Sequence, residues 1–496
     1  MRKMLSGPAY RLASPLLRFL HHSGFCASIL ALPGWEKIRW QIGRLGAWVR
    51  FQSALRHVPG YTEFFGKNGS AYQGRFVSIP FTDKNNYVKI FSLENRCVGG
   101  RLPSRGVIID ESSGSSDMPT NWVRGETERA ANRRALNLGL RRALGNEPPF
   151  ILNAFALGPW ATGINITLAL ASFCRMKALG PDAAKIENTL RQFGTGHAYV
   201  ILGYPPFLKN LVDRSELDWR QYRVSMIYGG EGMGESMRRY LQSKGIGKIY
   251  GSYGASDLDI NMAAETEFTI ALRRQMEAKP ELAARLSRHT GSLPMIFQYN
   301  PADFFLETTA EGEILATVCR PGCLAPKIRY NIHDLGHVIR FPELKKILAE
   351  ENIKTSDLDP RALDLPLLFH YGRSDLSAAW YGCKIPPADI QESLFRMPAL
   401  AKAVDAFQMR TFDDKGGDKR LALALEVAPG CLPEGPGHWA PLFFDTLSAV
   451  NQDFRESRRM ASAANPPYLE FHAPGVGPFA GSDIRIKRNY LRQGTA

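Results

Sequence analysis

The feature that most restricts the fold is an alternation of short apolar runs with helical segments. Residues 200–202 and 224–227 are largely apolar, which is typical of short buried strands. Residues 235–243 follow with helical spacing, and residues 249–253 are again strand-like. Strands that alternate with helices predict an α/β architecture with a largely parallel sheet.

The length predicts more than one folded unit. The chain has 496 residues, whereas single hydrophobic cores stop growing near ~250–300 residues. Residues 312–318 and 421–427 are typical of strands, and Pro386 and Pro387 predict the start of a helix. The C-terminal part is therefore expected to form a small α+β unit.

The charge balance is strongly basic. Lys and Arg number 62 and Asp and Glu number 48, which gives a net charge of +14. Such an excess can attract phosphate-rich small molecules, nucleic acid or an anionic membrane. No zinc-finger spacing and no aromatic RNA-binding motif accompanies it, so a solvated basic surface is favoured over specific nucleic-acid binding.

The cysteines and the N-terminus predict a cytoplasmic protein. Seven cysteines are scattered along the chain without a disulfide pattern, which fits a reducing compartment. No signal-cleavage site is evident, and no apolar run approaches the ~20 residues that span a bilayer. Residues 12–20 interleave leucines and Phe19 with Arg18, which predicts an amphipathic helix. Such a helix can lie on a membrane surface or pack on its own domain, and the second is the commoner arrangement.

A hydroxyl-rich turn follows the strand predicted at residues 106–110. Residues 112–120 read SSGSSDMPT, and a helix is predicted from residue 126 to residue 144. Backbone N–H groups and hydroxyls in such a turn can hold phosphate oxygens. Taken alone, the segment is more typical of a plain surface loop, so its meaning depends on the segments around it.

This turn resembles the phosphate loop of the adenylate-forming superfamily, most closely that of the phenylacetate–CoA ligase branch, SSGTTGKPT. Asp117 and Met118 stand where that branch has Gly and Lys, and two serines replace threonines. The residues that the resemblance assigns to phosphate binding are Ser112, Ser113, Gly114, Ser115, Ser116 and Thr120.

Further segments resemble motifs of the same branch. Each motif alone is weak evidence. The resemblance is specific from about residue 81 to the C-terminus because the segments follow one another in the same order as the motifs of the branch. The segments are 81–84 (PxTDK), 228–231 (GGE), 253–257 (YGxSE), 329–335 (RYRTGDL), 371–375 (GRxD), 382–390 and 486–490 (the catalytic-lysine motif).

The resemblance implies an ATP site. Ser256 would contact the α-phosphate, Asp257 would bind Mg²⁺, Asp334 would hold both ribose hydroxyls, and Arg373 would contact the nucleotide. The residues that would line the rest of the nucleotide pocket are Gly229, Gly230, Glu231, Tyr253 and Gly254.

The resemblance also implies a moving C-terminal domain. Asp375 would be the hinge between two domains. The large domain of residues 1–372 would have mixed or parallel sheets with helices and a helical segment at 1–75, and the small domain of residues 373–496 would be α+β. Lys487 would join Ser256 and Asp257 as a catalytic residue during adenylation. Phe155 and Trp160 could stack on an aromatic acid, although buried core aromatics are as common.

The resemblance therefore implies adenylation of a carboxylic acid, an aryl or other organic acid, by ATP with Mg²⁺, followed by thioester formation with CoA. Three alternatives stay open. The first is an adenylating enzyme whose acceptor is a carrier-protein thiol or an amine, or whose substrate is a non-carboxylate oxyanion such as nitrite. The second is a degenerate nucleotide-binding member, and the third is a basic membrane- or nucleic-acid-binding protein. A homodimer is possible.

Overall fold

The computed structural model describes residues 7–23, 26, 29–30, 32–111, 120–287, 293–373, 377–381, 383–413, 419–431, 433–460, 466–480 and 490–493. Within them the strands are β1 (Val107–Glu111), β2 (Asn121–Gly125), β3 (Phe150–Asn153), β4 (Arg175–Ala178), β5 (Ala198–Gly203), β6 (Arg223–Gly229), β7 (Ile249–Tyr253), β8 (Ala263–Ala264), β9 (Met295–Gln298), β10 (Phe304–Thr308), β11 (Glu313–Val318), β12 (Tyr330–Ile339), β13 (Leu367–Arg373), β14 (Ala378–Trp380), β15 (Cys383–Ile385), β16 (Val404–Asp413), β17 (Lys419–Val427), β18 (Tyr468–His472) and β19 (Leu491–Gln493).

The α-helices pack around these strands. They are α1 (Gly7–His22), α2 (Glu36–His57), α3 (Pro59–Asn68), α4 (Glu126–Leu144), α5 (Ala161–Leu170), α6 (Ala183–Phe193), α7 (Pro205–Arg214), α8 (Glu235–Ser243), α9 (Glu267–Ala278), α10 (Pro280–Leu286), α11 (Phe341–Glu350), α12 (Thr355–Leu358), α13 (Pro387–Phe395), α14 (Pro398–Ala403), α15 (Pro436–Val450) and α16 (Gln452–Met460).

The largest sheet among the described residues has eleven strands in the order β10-β11-β12-β13-β9-β8-β7-β6-β5-β3-β4. The five neighbouring strands β4, β3, β5, β6 and β7 pair in parallel. A helix connects each of them to the next along the chain, because parallel neighbours need a long crossover. Strand β5 reads AYVILG and is buried after its first residue, as expected for a strand covered on both faces.

The other half of this sheet is antiparallel. Strands β7 and β8 pair antiparallel. Each further neighbouring pair is also antiparallel, in the order β8, β9, β13, β12, β11 and β10. Only residues 309–312 separate β10 from β11, and so short a link permits only an antiparallel pair. The predicted α/β class with mixed or parallel sheets is confirmed, and the large sheet has one parallel and one antiparallel half.

The strands on either side of the hydroxyl-rich turn form a pair outside this sheet, and residues 112–119 fall outside the described residues. Strand β1 pairs antiparallel with β2, and α4 follows directly. The sequence predicted β1 and α4 but not β2, whose five residues, NWVRG, carry little apolar periodicity. Its central residues Trp122, Val123 and Arg124 are buried only because the chain packs against them.

The C-terminal segment has a sheet and a core of its own, consistent with the expected α+β unit. Its four strands are ordered β18-β17-β16-β19. A cluster that includes Trp380, Leu423 and Phe443 forms this core. Two contacts join the segment to α7: Lys209 Nζ donates to the Val404 carbonyl over 2.7 Å, and Arg214 pairs with Asp405.

The predicted amphipathic N-terminal helix is α1. Ala13 and Leu17 are buried against Val49 of α2. The opposite face of the helix is exposed. No described helix combines the length and the apolar character needed to cross a membrane.

Candidate active site

A cleft of about 1050 Å³ opens at the carboxyl ends of β6 and β7. Ligands of open α/β sheets bind at this edge, where loops leave the strands. Its lining includes ten of the residues singled out in the sequence: Phe155, Gly229, Gly230, Glu231, Tyr253, Gly254, Ser256, Asp257, Asp334 and Arg373.

The other candidates lie elsewhere. Trp160 is not part of the cleft lining and forms a bridge with Glu111 at the end of β1. Thr120 also lies off the cleft, directly before β2. Residues 112–116 (Ser112, Ser113, Gly114, Ser115 and Ser116), Asp375 and Lys487 fall outside the described residues.

Two glycines allow the backbone to approach the cleft closely. Gly230 has φ +81°, and a Cβ there would lie 2.4 Å from Cε1 of Tyr204. Gly254 has no room for a Cβ, which would lie 2.5 Å from the carbonyl oxygen of Asp259. A larger residue at either position would displace the turn that follows β6 or β7.

Tyr253 and Asp334 meet inside the cleft although they are 81 residues apart. The Tyr253 hydroxyl donates to Oδ2 of Asp334 over 2.6 Å, and Nε2 of His370 lies 3.1 Å from the same oxygen. The Tyr253 ring stacks on Phe297 with centroids 5.5 Å apart. Burial and the Asp334 charge raise the pKa of Tyr253 well above its usual value. Tyr253 therefore stays protonated and acts as a donor.

Asp334 is held by the pairing of two strands. It lies opposite Arg373 in the β12–β13 register. His333, just before it, adopts φ +64°, a left-handed conformation that favours glycine. The RYRTGDL motif has glycine at this position. Here the His333 backbone N–H donates to Asn331 and its ring contacts Glu313, which offsets the strain of this conformation.

Asp257 lies in the segment that follows β7. Its Oδ2 accepts a 3.0 Å hydrogen bond from the Tyr330 hydroxyl. The neighbouring residue, Ser256, is held through its carbonyl, which accepts from Arg124 of β2 over 2.8 Å. These two contacts fix the 256–257 segment between β12 and β2.

Three cations surround the β1–β2 pair. Arg96 Cζ lies 5.5 Å and Lys327 Nζ 4.8 Å from the ring centroid of Trp122 in β2. Arg124 Nε lies 3.1 Å from Oδ2 of Asp110 in β1. Burial lowers the pKa of Lys327 to about 8.

Asp257 fits the role of a Mg²⁺ ligand. No group of three or more potential metal-binding side chains occurs among the described residues. Mg²⁺ seldom needs such a cage, because it commonly binds one or two carboxylates together with substrate phosphates and water. The Asp257 carboxylate, oriented by Tyr330, would supply one such ligand.

A contact from the C-terminal segment reaches the cleft. The Tyr490 hydroxyl donates to Oε2 of Glu231 over 2.5 Å, although the two are 259 residues apart. The other side of Tyr490 is anchored in the C-terminal sheet, where its carbonyl accepts from Met409 and its ring packs on Phe407. Tyr490 therefore links the GGE turn to the C-terminal segment.

A buried ion-pair network supports the floor of the cleft. Arg238 of α8 donates to both carboxylate oxygens of Glu265 over 2.8 Å and to Glu235 over 3.0 Å. Glu265 also accepts from the Tyr228 hydroxyl and from the Gly251 backbone N–H. The network ties the ends of β6 and β7 to α8.

Sequence reasoning missed several residues of this site. Tyr330 lies inside the motif segment 329–335 and His370 lies one position before the segment 371–375, and this closeness to the motifs was the available signal. Tyr490 follows the predicted Lys487 by three positions, but nothing in the sequence indicates its contact with Glu231.

Comparison with solved structures identifies related folds. No family model and no curated protein matches this sequence. The crystal structure of 2-hydroxyisobutyryl-CoA ligase in the postadenylation state, in complex with 2-HIB-AMP, superposes with a TM-score of 0.64 at 15% identity, over 94% of this chain and 91% of that one. The same enzyme with R3-HIB-AMP gives 0.63, with the same identity and coverage.

Another structure of that ligase, in an open conformation with 2-HIB-AMP and CoA, gives a TM-score of 0.51 at 16% identity, over 93% of this chain and 92% of that one. The chain thus superposes better on the postadenylation state than on the open one. Over nearly its whole length, it has the fold of 2-hydroxyisobutyryl-CoA ligase.

Proposed function

We propose that this protein is an ATP-dependent ligase that adenylates a carboxylic acid and transfers the acyl group to the thiol of CoA. One observation carries the proposal. Tyr253 and Asp257 of one segment, Asp334 of a second and Arg373 of a third converge on one cleft, together with the GGE turn. Each is a residue to which the adenylate-forming motifs assign nucleotide or Mg²⁺ contact.

In the first half-reaction a carboxylate oxygen attacks the α-phosphorus of ATP, and the bond to pyrophosphate breaks. Asp334 would accept hydrogen bonds from the ribose hydroxyls, while Tyr253 and His370 hold its carboxylate in place. Asp257 would hold Mg²⁺, which neutralises phosphate charge when bound. Ser256 and Lys487 would contact the α-phosphate region, where charge concentrates in the transition state.

In the second half-reaction the thiol sulfur attacks the acyl carbon. AMP leaves with its phosphate oxygen, and the thiol proton passes to solvent. We propose residues 1–372 and 373–496 as the two domains, with a hinge at Asp375 that moves Lys487 away after adenylation. The Tyr490–Glu231 contact would mark the arrangement that serves the first half-reaction.

The acid would bind beside Phe155. Its ring is buried and packs edge-on against Tyr204, with centroids 5.2 Å apart. Ile166, Leu202 and Ile227 line the same cleft. An apolar wall of this kind favours an aryl or other organic acid with an apolar body, as in the phenylacetate–CoA ligase branch.

An ATP–pyrophosphate exchange screen over aryl, fatty and amino acids tests this proposal, with and without CoA. We expect exchange that depends on one class of acid, and a thioester when CoA is added. Exchange without a thioester would place the acyl group on a carrier protein or an amine. Absence of exchange with every acid, from protein that binds ATP, would overturn the proposal in favour of a non-catalytic nucleotide-binding protein.

A further inference from the structure

Helix α1 exposes an apolar stripe to solvent. Leu12, Leu16 and Phe19 are spaced by four and three residues, so they share one face of the helix. Their exposed fractions are 76%, 53% and 63%. Single exposed apolar residues are common, but three large ones on one helical face mark an interaction surface.

The stripe belongs to a helix that is fixed to the rest of the protein. Leu17 is buried on the opposite face. At the C-terminal end, Nε2 of His21 lies 3.4 Å from Oδ1 of Asp303, and the His21 carbonyl accepts from Arg134 of α4 over 3.0 Å. The exposed side chains therefore cannot be buried by rotating α1 without breaking these contacts.

The charged residues that surround the stripe in the sequence are all basic. The first 35 residues contain two arginines on α1 and two further basic residues before it, and the first acidic residue of the chain is Glu36. Arg18 is exposed on α1, next to Phe19. Apolar side chains flanked by basic ones are the combination that binds an anionic lipid surface, through acyl-chain contact and headgroup attraction.

We propose that the stripe of Leu12, Leu16 and Phe19 docks this protein on the surface of an anionic phospholipid bilayer. The helix lies in the interface, with the stripe toward the acyl chains and Arg18 toward the headgroups.

The docking surface also adjoins the cleft. Leu20 and His21 of α1 line the cleft wall together with Leu138 of α4, which is 50% exposed. Docking brings this apolar wall to the bilayer, so an acid with an apolar tail can enter from the membrane. This consequence rests on the proposed ligase function, whereas docking itself does not.

Co-sedimentation of the full chain with vesicles tests the docking. We expect binding to vesicles of phosphatidylglycerol and phosphatidylcholine in equal parts, and weaker binding to phosphatidylcholine alone. The triple variant Leu12→Ser, Leu16→Ser, Phe19→Ser should lose about tenfold or more in binding, and Arg18→Glu about tenfold on anionic vesicles only. A matched control replaces two exposed apolar residues elsewhere, Leu442→Ser with Val476→Ser, and should bind like the wild type.

Three outcomes would overturn the proposal. They are no binding of the wild type to either vesicle, equal binding of the triple variant with an unchanged melting temperature, or a dimer in solution that the triple variant abolishes without any lipid binding. Vesicle binding together with absent acid-dependent pyrophosphate exchange would leave the docking in place and remove only the ligase function.

Discussion

The Asp334 carboxylate offers the sharpest test of the nucleotide site. It is buried, and Oδ2 accepts the 2.6 Å hydrogen bond from Tyr253 and lies 3.1 Å from Nε2 of His370. Asp334→Asn keeps the shape and removes the charge. A hydrogen bond to a charged group contributes ~1.5–3 kcal/mol, and each 1.4 kcal/mol is about tenfold in affinity. We therefore expect the Kd for ATP to rise by about 10- to 150-fold.

The control is Tyr253→Phe, which removes the same tyrosine–carboxylate bond but keeps the negative charge and the ring. It should weaken ATP binding much less than Asp334→Asn. Calorimetric titration with Mg·ATP measures both affinities, and thermal unfolding checks that each variant is folded. Unchanged affinity in Asp334→Asn would refute direct nucleotide contact. Equal losses in the two variants would show that Asp334 serves only to hold Tyr253.

Four further changes test other parts of the site. Asp257→Asn should abolish pyrophosphate exchange, whereas Asp257→Glu should retain part of it, and equal exchange in wild type and Asn would remove the Mg²⁺ assignment. Lys487→Ala should lower exchange by orders of magnitude but leave thioester formation from a supplied acyl-adenylate nearly normal; loss of both would indicate a structural role. Tyr490→Phe should slow exchange by about tenfold and spare the second half-reaction, and a double-mutant cycle with Glu231→Gln should show coupling; additive effects would contradict the contact. Arg238→Met leaves buried carboxylates unpaired and should cost ~3–5 kcal/mol in the free energy of unfolding, measured by urea denaturation; a loss below ~1 kcal/mol would mean that the network adds little.

Much of the fold could be predicted because apolar residues that become buried recur along the sequence with the period of the helix or strand they form. Helices α4 and α8 and strand β7 have the bounds expected from the sequence, since their apolar residues recur with helical or strand spacing. Strand β2 was missed, because five residues with a central Arg124 have no such period. The direction of each strand in the large sheet could not be derived from such a period, because it depends on how connections cross the sheet.

The features of the candidate site can likewise be separated into those that the sequence indicates and those that depend on the folded chain. The sequence is enough to show which segments carry glycines, hydroxyls and carboxylates, and the order in which they follow one another. Folding alone brings Tyr253 to Asp334 and Tyr330 to Asp257, and it leaves Trp160 off the cleft. Local spacing is set by the geometry of a few consecutive residues. A contact between residues that are 81 or 73 positions apart depends on the summed path of every strand and turn between them, which no short pattern contains.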